Sequence, residues 1–296
     1  SLVKFYHQEV SDSIPWESIN TAGTNALYDM MLMTGTYRIE VHPSIPYNPQ
    51  TVGTVENTVD PDTADFLIRP AIALLVDDDC GDRYDSYVRQ SLEDIYADYY
   101  YWDREADGAT EDTLQLFHNV IWMTGNDDST TLTAQDKTDL IRYLEGGGNL
   151  LLSGQNIGDD LGAADPFLND YLKVQHQDDM TMQRLLDGEP GHPLSAGTSL
   201  FLVGGTGAGN QTSPSTCTAL SGGEIAYRYQ NAPNPAAAVT YTDPIHNYRS
   251  IYMGFGIEAV SGLAGTLPRA ELLRDVFDWW GYMVDIPPRA APSLPV

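Results

Sequence analysis

Three stretches of this 296-residue chain place chemically capable side chains just past apolar runs. The most pointed is Ser153-Gly154-Gln155-Asn156-Ile157-Gly158, which follows Asn149-Leu150-Leu151-Leu152. A strand entering G-x-nucleophile-x-G and then a helix is the arrangement in which a strained turn lifts a reactive side chain above a sheet. Gly154 and Gly158 hold the two glycine places, and the centre is Asn156. A carboxamide has no lone pair poised for covalent attack and cannot be activated by a neighbouring base. The turn therefore has the form of a nucleophile elbow with its reagent replaced, and no catalytic residue is assigned there. Ser153 reads as a turn or capping hydroxyl. His192 in GHPLSAG and His246 in DPIHNY are candidate bases in proline-containing loops, and His118 borders an apolar strand, where packing is its expected role.

The second stretch is Asp77-Asp78-Asp79-Cys80-Gly81-Asp82, after AIALLV, and the third is Thr124-Gly125-Asn126-Asp127-Asp128, after NVIWM. Hard divalent ions take carboxylate oxygens, so Asp77, Asp79, Asp82 and Asp85 are candidate ligands for calcium. The other reading of these residues is an acidic surface turn whose Asp side chains cap the helix that follows. Apart from calcium, no cofactor is expected. Receiver domains of response regulators also carry acidic residues after such a strand. They need in addition a phosphoacceptor Asp ending a later strand and a suitably placed Lys, whereas NVIWMTG ends in Thr124 and Gly125, and Lys4, Lys137 and Lys173 lie at no such site. Cys80 and Cys217 match no close metal-ligand spacing; a single long-range disulfide and two separate buried thiols are both open. Asn210-Gln211-Thr212 is an N-x-T glycan acceptor pattern, a tripeptide that also arises by chance. The aromatic run Tyr96, Tyr99, Tyr100, Tyr101 and Trp102 is either a sugar-binding platform or a strand edge with its neighbouring core.

These loops need a scaffold, and from residue 70 the pattern supplies one. AIALLV (71–76), NVIWMTG (119–125) and NLLLSGQNIG (149–158) are continuous apolar runs, as expected of strands buried on both faces of a parallel sheet. Between them Tyr84, Tyr87, Val88, Leu92, Ile95 and Tyr96 recur at helical spacing, and residues 132–148 form a second helical pattern with Thr133 as N-cap, Asp136 three residues on and glycines at its end. SLFLVGG, EIAYRY, AAAVTY and SIYMGFG follow as strands, and 269–283 as a last helix burying Leu272, Leu273, Val276, Phe277 and Trp280. The expected class is α/β, a flavodoxin-like doubly wound, mostly parallel sheet. Residues 1–69 form a small β unit, shown best by TYRIEVHP (36–43), where Tyr37, Ile39 and Val41 alternate with polar neighbours. The expected division is 1–69, 70–284 and a Pro-rich linker at 285–296.

The phrases LLVDDDCGDRYDSYV, FHNVIWMTGNDD, LTAQDKTDLIRYLEGGGNLLLSGQNIGDDL, GHPLSAG and YRSIYMGFGIEAV resemble the class I glutamine-amidotransferase-like domains embedded in secreted bacterial proteins. The resemblance spans residues 71–283 and implies the fold. Active members carry Cys at the elbow and a downstream His, so Asn156 speaks against the family's chemistry here. GTYRIEVHPSIPY and DTADFLIRP resemble the closing strands of carboxypeptidase-regulatory-like β-sandwich repeats, fewer than a whole sandwich requires.

Composition narrows the function further. The 42 acids comprise 30 Asp and 12 Glu against 12 Arg and only 3 Lys, giving a formal net charge of -27. That excess excludes electrostatic nucleic-acid binding, and no run reaches the length of a membrane span. The chain opens at Ser1 without a signal-peptide pattern, as expected of a processed chain. The leading expectation is a non-catalytic, secreted or cell-surface structural module that pairs with copies of itself into a fibre or sheath. The alternatives are a hydrolase or amidotransferase-like enzyme with an atypical nucleophile or metal, and a glycan- or peptide-binding accessory module of a secreted protease.

Overall fold

Four strands buried almost throughout and a fifth, aromatic one at their edge form the frame that positions the three polar loops. The computed structural model describes residues 73–179, 183–231 and 233–282, with the backbone alone at 111 and 112, together with the backbone of four strands nearer the amino terminus. The chain divides into two units, Ser1–Pro70 and Ala71–Val296. In the first, β1 (Leu2–Gln8), β2 (Glu17–Gly23), β3 (Gly35–His42) and β4 (Asp62–Ile68) make an antiparallel sheet in the order β2-β1-β3-β4. The alternation of side chains expected in 36–43 and the linker expected at 285–296 lie outside the described residues.

The second unit begins with β5 (Ala73–Asp77), α1 (Asp85–Asp94), β6 (Tyr99–Asp103), the single turn α2 (Arg104–Asp107), β7 (Asn119–Met123), α3 (Ala134–Glu145), β8 (Asn149–Ser153) and α4 (Ile157–Leu161). An antiparallel series follows: β9 (Val174–Asp179), β10 (Leu185–Gly188), β11 (Ser199–Leu202), β12 (Ser215–Ala219), β13 (Glu224–Tyr229) and β14 (Ala236–Thr242). The unit closes with β15 (Arg249–Met253), β16 (Val260–Ser261) and α5 (Arg269–Trp280). The strands run β16-β11-β10-β13-β14-β15-β8-β7-β5-β6, with β12 and β9 branching from β14. The pairings β15–β8, β8–β7, β7–β5 and β5–β6 are parallel. Numbered by appearance, this parallel core has the flavodoxin order 2-1-3-4-5, so the expected α/β doubly wound class is present, extended at β14 by an antiparallel half.

The period of two in each strand sorts the core into two layers. Ala73, Leu75, Ile121, Leu151 and Ile251 face α1 and α5, meeting Val88, Leu92, Leu272, Val276 and Phe277. Leu74, Val76, Val120, Trp122, Leu150 and Leu152 face the opposite way, onto Leu140, Tyr143 and Leu144 of α3 and onto Phe167 and Leu168. Each fully buried leucine contributes about 1.5–3 kcal/mol over an exposed one, which is why the runs are uninterrupted. The α3 start is the reciprocal cap read from sequence: Thr133 accepts from the Asp136 amide and Asp136 from the Thr133 amide.

Candidate functional site

The turn after β8 is a buried polar lock. Gly154 is required because a β-carbon there would collide with the Thr124 hydroxyl. Gln155, only 1% exposed, accepts through Oε1 from the backbone N–H groups of Thr212 (2.7 Å) and Ser213 (2.9 Å). Its Nε2 donates to Asn126 Oδ1 at 2.7 Å and to the Asn210 carbonyl at 3.3 Å. Asn126 Oδ1 also accepts from Asn210 Nδ2 at 3.1 Å, and Asn210 Nδ2 reaches Glu258 Oε1 at 2.8 Å. The result is a chain of carboxamides ending on a buried carboxyl. Burial raises the pKa of Glu258, while Asn210 and the nearby Arg269 pull it back. Arg269, at the start of α5, donates to the carbonyls of Glu258 (2.8 Å), Val260 (3.1 Å) and Tyr87 (3.0 Å), tying this segment to α1.

Asn156 itself has φ -110 and ψ -3 as the residue capping α4. Its Nδ2 donates to the carbonyls of Asp127 (2.9 Å) and Asn126 (3.4 Å). Ser153 is fully buried, donating to the Phe255 carbonyl (2.9 Å) and accepting from the Ile257 amide (2.7 Å), so both roles of its hydroxyl are used. His192 bonds Thr240 Oγ1 at 2.8 Å within the antiparallel half, and burial lowers its pKa. His246 pairs with Asp243 at 3.2 Å in an exposed loop, and the His118 ring lies 6.5 Å from that of Tyr282.

Two sequence readings are corrected. Cys80 and Cys217 are both free thiols: Cys80 is exposed on the turn after β5, while Cys217 is buried in β12 against the Ala236 carbonyl at 3.6 Å. Nor is Cys80 an activated nucleophile, although its φ of 61 gives it a left-handed turn. Although the residue is exposed, partial desolvation of its sulfur and the Asp127 carboxylate push its thiol up to about 11, the reverse of what a reactive cysteine needs. Asn210 is only 8% exposed and its amide nitrogen is committed to Asn126 and Glu258, which is incompatible with a glycan on that nitrogen.

In flavodoxin-ordered sheets the ligand crevice opens where the strand order reverses, here between β5 and β7. In this chain that gap is closed. A β-carbon on Gly125 would sit 2.6 Å from Asp79 Cβ, and Asn126 bridges to Tyr84 Oη (2.9 Å) and Asp82 Oδ2 (3.3 Å). The open space lies on the other side of β5, toward the edge strand β6, as a cavity of about 390 Å³. Asp77, Asp79, Asp82 and Asp85 all line it, joined by Tyr101, Asp103, Glu105, Arg83 and Arg89. Tyr101 Oη donates to Asp77 Oδ2 at 2.7 Å, the Tyr84 amide to Asp79 Oδ2 at 3.1 Å, and Arg89 to Asp85 Oδ2 at 3.2 Å. Each acid is thus turned to its own partner. Among the described residues no group of three or more His, Cys, Asp or Glu side chains is set to hold a metal ion. Desolvation, followed for Asp77 by the charges of Asp79, Asp85 and Asp103, raises Asp77 and Asp79 to about 7. Asp78 faces the opposite layer, accepting from Trp122 Nε1 at 3.1 Å, and burial raises it to about 7 as well.

The aromatic run resolves into β6 and its approach. Tyr101 and Trp102 are half-buried, Trp102 donating to the Gly108 carbonyl at 3.0 Å, while Tyr96 and Tyr100 are exposed. Sequence reasoning gave no role to Gln155, Asn126 or Glu258, because isolated amides and a lone acid carry no motif. It missed Asp103 and Glu105 because the aromatic run hid the strand that ends in them.

No protein-family model matches the chain, and no curated protein is similar to it in sequence. Among solved structures it is similar to a GMP synthase component of Thermoplasma acidophilum, at 10% identity over 71% of this chain and 94% of that one, with a TM-score of 0.48. It is also similar to a ThuA-like protein of Parabacteroides merdae (12% identity, 76% and 95% covered, TM-score 0.46). A third is a glutamine amidotransferase of Thermotoga maritima (10% identity, 72% and 84% covered, TM-score 0.39). The last bears the name of the family that the sequence phrases resemble. None supplies a reaction for this chain, and the α/β class rests on its own strand order.

Proposed function

We propose that the Ala71–Val296 unit is a non-catalytic module of amidotransferase-like fold, retained for binding and structure. One observation carries this reading: the turn after β8 holds Asn156, with its amide given to two carbonyls and the neighbouring Ser153 hydroxyl spent on Phe255 and Ile257. A residue so placed supplies neither a nucleophile nor a base for one. The test is hydrolysis of glutamine and of activated esters by the purified chain; turnover abolished by Ser153→Ala or Asn156→Ala removes the reading.

An extracellular setting, and assembly with copies of the same chain through the outer strands of the amino-terminal sheet, belong to the same proposal. The acid-rich, lysine-poor composition supports the setting, and the exposed backbone groups of outer strands are the general template for pairing. A chain that stays monomeric at high concentration in light scattering removes the assembly half.

A second reading, an enzyme working from the acidic cavity, is favoured by Asp77 and Asp79, two carboxyls raised to about 7 at strand ends. Turnover that survives in Ser153→Ala and is lost in Asp77→Asn would establish it over the first.

A further inference from the structure

Glu258, in the short helical turn Ile257–Ala259 after β15, has no exposed surface. Its Oε1 accepts from Asn210 Nδ2 at 2.8 Å and from Gln211 Nε2 at 3.4 Å, while its Oε2 is buried without a hydrogen-bond partner. The nearest cation does not answer that oxygen. Arg269 attracts the carboxyl through space, but its N–H groups go elsewhere: Nε to the Tyr87 carbonyl and the Ser91 hydroxyl, Nη1 to the carbonyls of Glu258 and Val260, and Nη2 to the Thr206 carbonyl at 3.2 Å. From the turn after β5, Asp79 and Tyr84 face Glu258, and the acid adds repulsion. The loop 203–213 has no charged residue, and the turn after β7 meets the network through the neutral Asn126. An ionised carboxylate would therefore keep two neutral donors on one oxygen and none on the other. A charge buried in that way is far more costly than a neutral group, and the carboxyl takes up a proton instead.

What this carboxyl holds is the loop 203–213. Asn210 and Gln211 meet on its Oε1, the Ala208 amide donates to the Glu258 carbonyl at 2.9 Å, and Gln211 Oε1 accepts from the Gly256 amide at 2.9 Å. Beyond Glu258 the same loop reaches Asn126 through Asn210 and Gln155 through the Thr212 and Ser213 amides. It is thus tied to the turns after β7 and β8, at the carboxyl ends of two parallel strands, where ligands reach sheets of this kind.

We propose that Glu258 is a proton-operated clasp: neutral, it fastens the loop 203–213 to the turns after β7 and β8; ionised, it draws in water and releases the loop, baring those strand ends. The clasp goes beyond the non-catalytic reading and stands independently of it, since glutamine turnover would overturn that reading and leave this one intact. In the open state the carboxyl returns to its ordinary value of 4.5, and in the closed state burial raises it. Closure therefore has its full advantage below 4.5 and loses it as pH rises through the closed-state value.

Hydrogen exchange of peptides from 203–213, read by mass spectrometry on the full chain, tests the clasp against Glu258→Gln, which keeps an acceptor for Asn210 and Gln211 but cannot ionise. Comparing the two chains at each pH cancels the base dependence of exchange itself and the titration of the other acids. The wild-type-to-variant ratio of exchange rates is expected to climb above pH 4.5 by up to about tenfold per pH unit, the slope of one proton, and to stay flat in peptides of β7. A ratio independent of pH in 203–213, or one that climbs equally in β7, would overturn the proposal. If Glu258→Gln does not fold, infrared spectra of the wild-type chain carrying carboxyl-labelled glutamate decide. A protonated glutamate carboxyl that persists about two pH units above 4.5 is expected, and its absence overturns the clasp.

Discussion

Replacing Gln155 by leucine tests whether the turn after β8 is a structural lock. The side chain is 1% exposed, so leucine enters the same volume without solvent to repair what is lost. Four hydrogen bonds disappear, and the Thr212 and Ser213 amides lose the oxygen they share. Each buried donor left unpaired costs about 1–3 kcal/mol, and the gain from burying leucine offsets part of it, so the net loss is about 2–5 kcal/mol. Asn156→Ala, by comparison, removes one good bond to Asp127 from a half-buried side chain and should cost about 1 kcal/mol. Urea unfolding followed by tryptophan fluorescence is the assay, since Trp102, Trp122, Trp279 and Trp280 all lie in the larger unit. A loss below about 1 kcal/mol for Gln155→Leu, or one no greater than that of Asn156→Ala, would refute the lock.

Three further outcomes are expected. Asp77, Asp78 and Asp79 have folded values near 7, above the ordinary 3.8, so the folded state binds more protons than the unfolded one between these values. Stability should therefore fall as pH rises from about 4 to about 7 and level off above it; a denaturation midpoint that rises over this window would contradict the burial of these carboxyls. A thiol reagent at mildly alkaline pH should modify Cys80 slowly and Cys217 only after unfolding, as read by mass spectrometry, because partial desolvation and acidic neighbours disfavour the first thiolate and burial the second. Expression in a glycosylating host should leave Asn210 unmodified in the folded chain, and a glycan found on it would mean that the Asn210–Glu258 contact is not formed.

The parallel half of the sheet was legible because β5, β7 and β8 are uninterrupted apolar runs and because the Thr133–Asp136 cap marks the start of α3. The antiparallel half was only partly so. Strands β9 and β12 are short and polar, and their pairing depends on a bulged register that no local pattern encodes. At the site, the Asn at the centre of the elbow pattern could be read directly. The carboxamide network could not, since Asn126, Gln155, Asn210 and Glu258 come from four separate segments and meet only when the sheet forms. The acidic loop drew attention as a calcium site because four Asp side chains are close in sequence; the fold turns each to a different partner and leaves one oxygen of Asp77 without any.

The most direct test of the central claim is ammonia release from saturating glutamine by the wild-type chain, measured beside Ser153→Ala and Asn156→Ala. The account predicts no release above buffer for all three. Release by the wild type that persists through repurification and vanishes in either variant would contradict it.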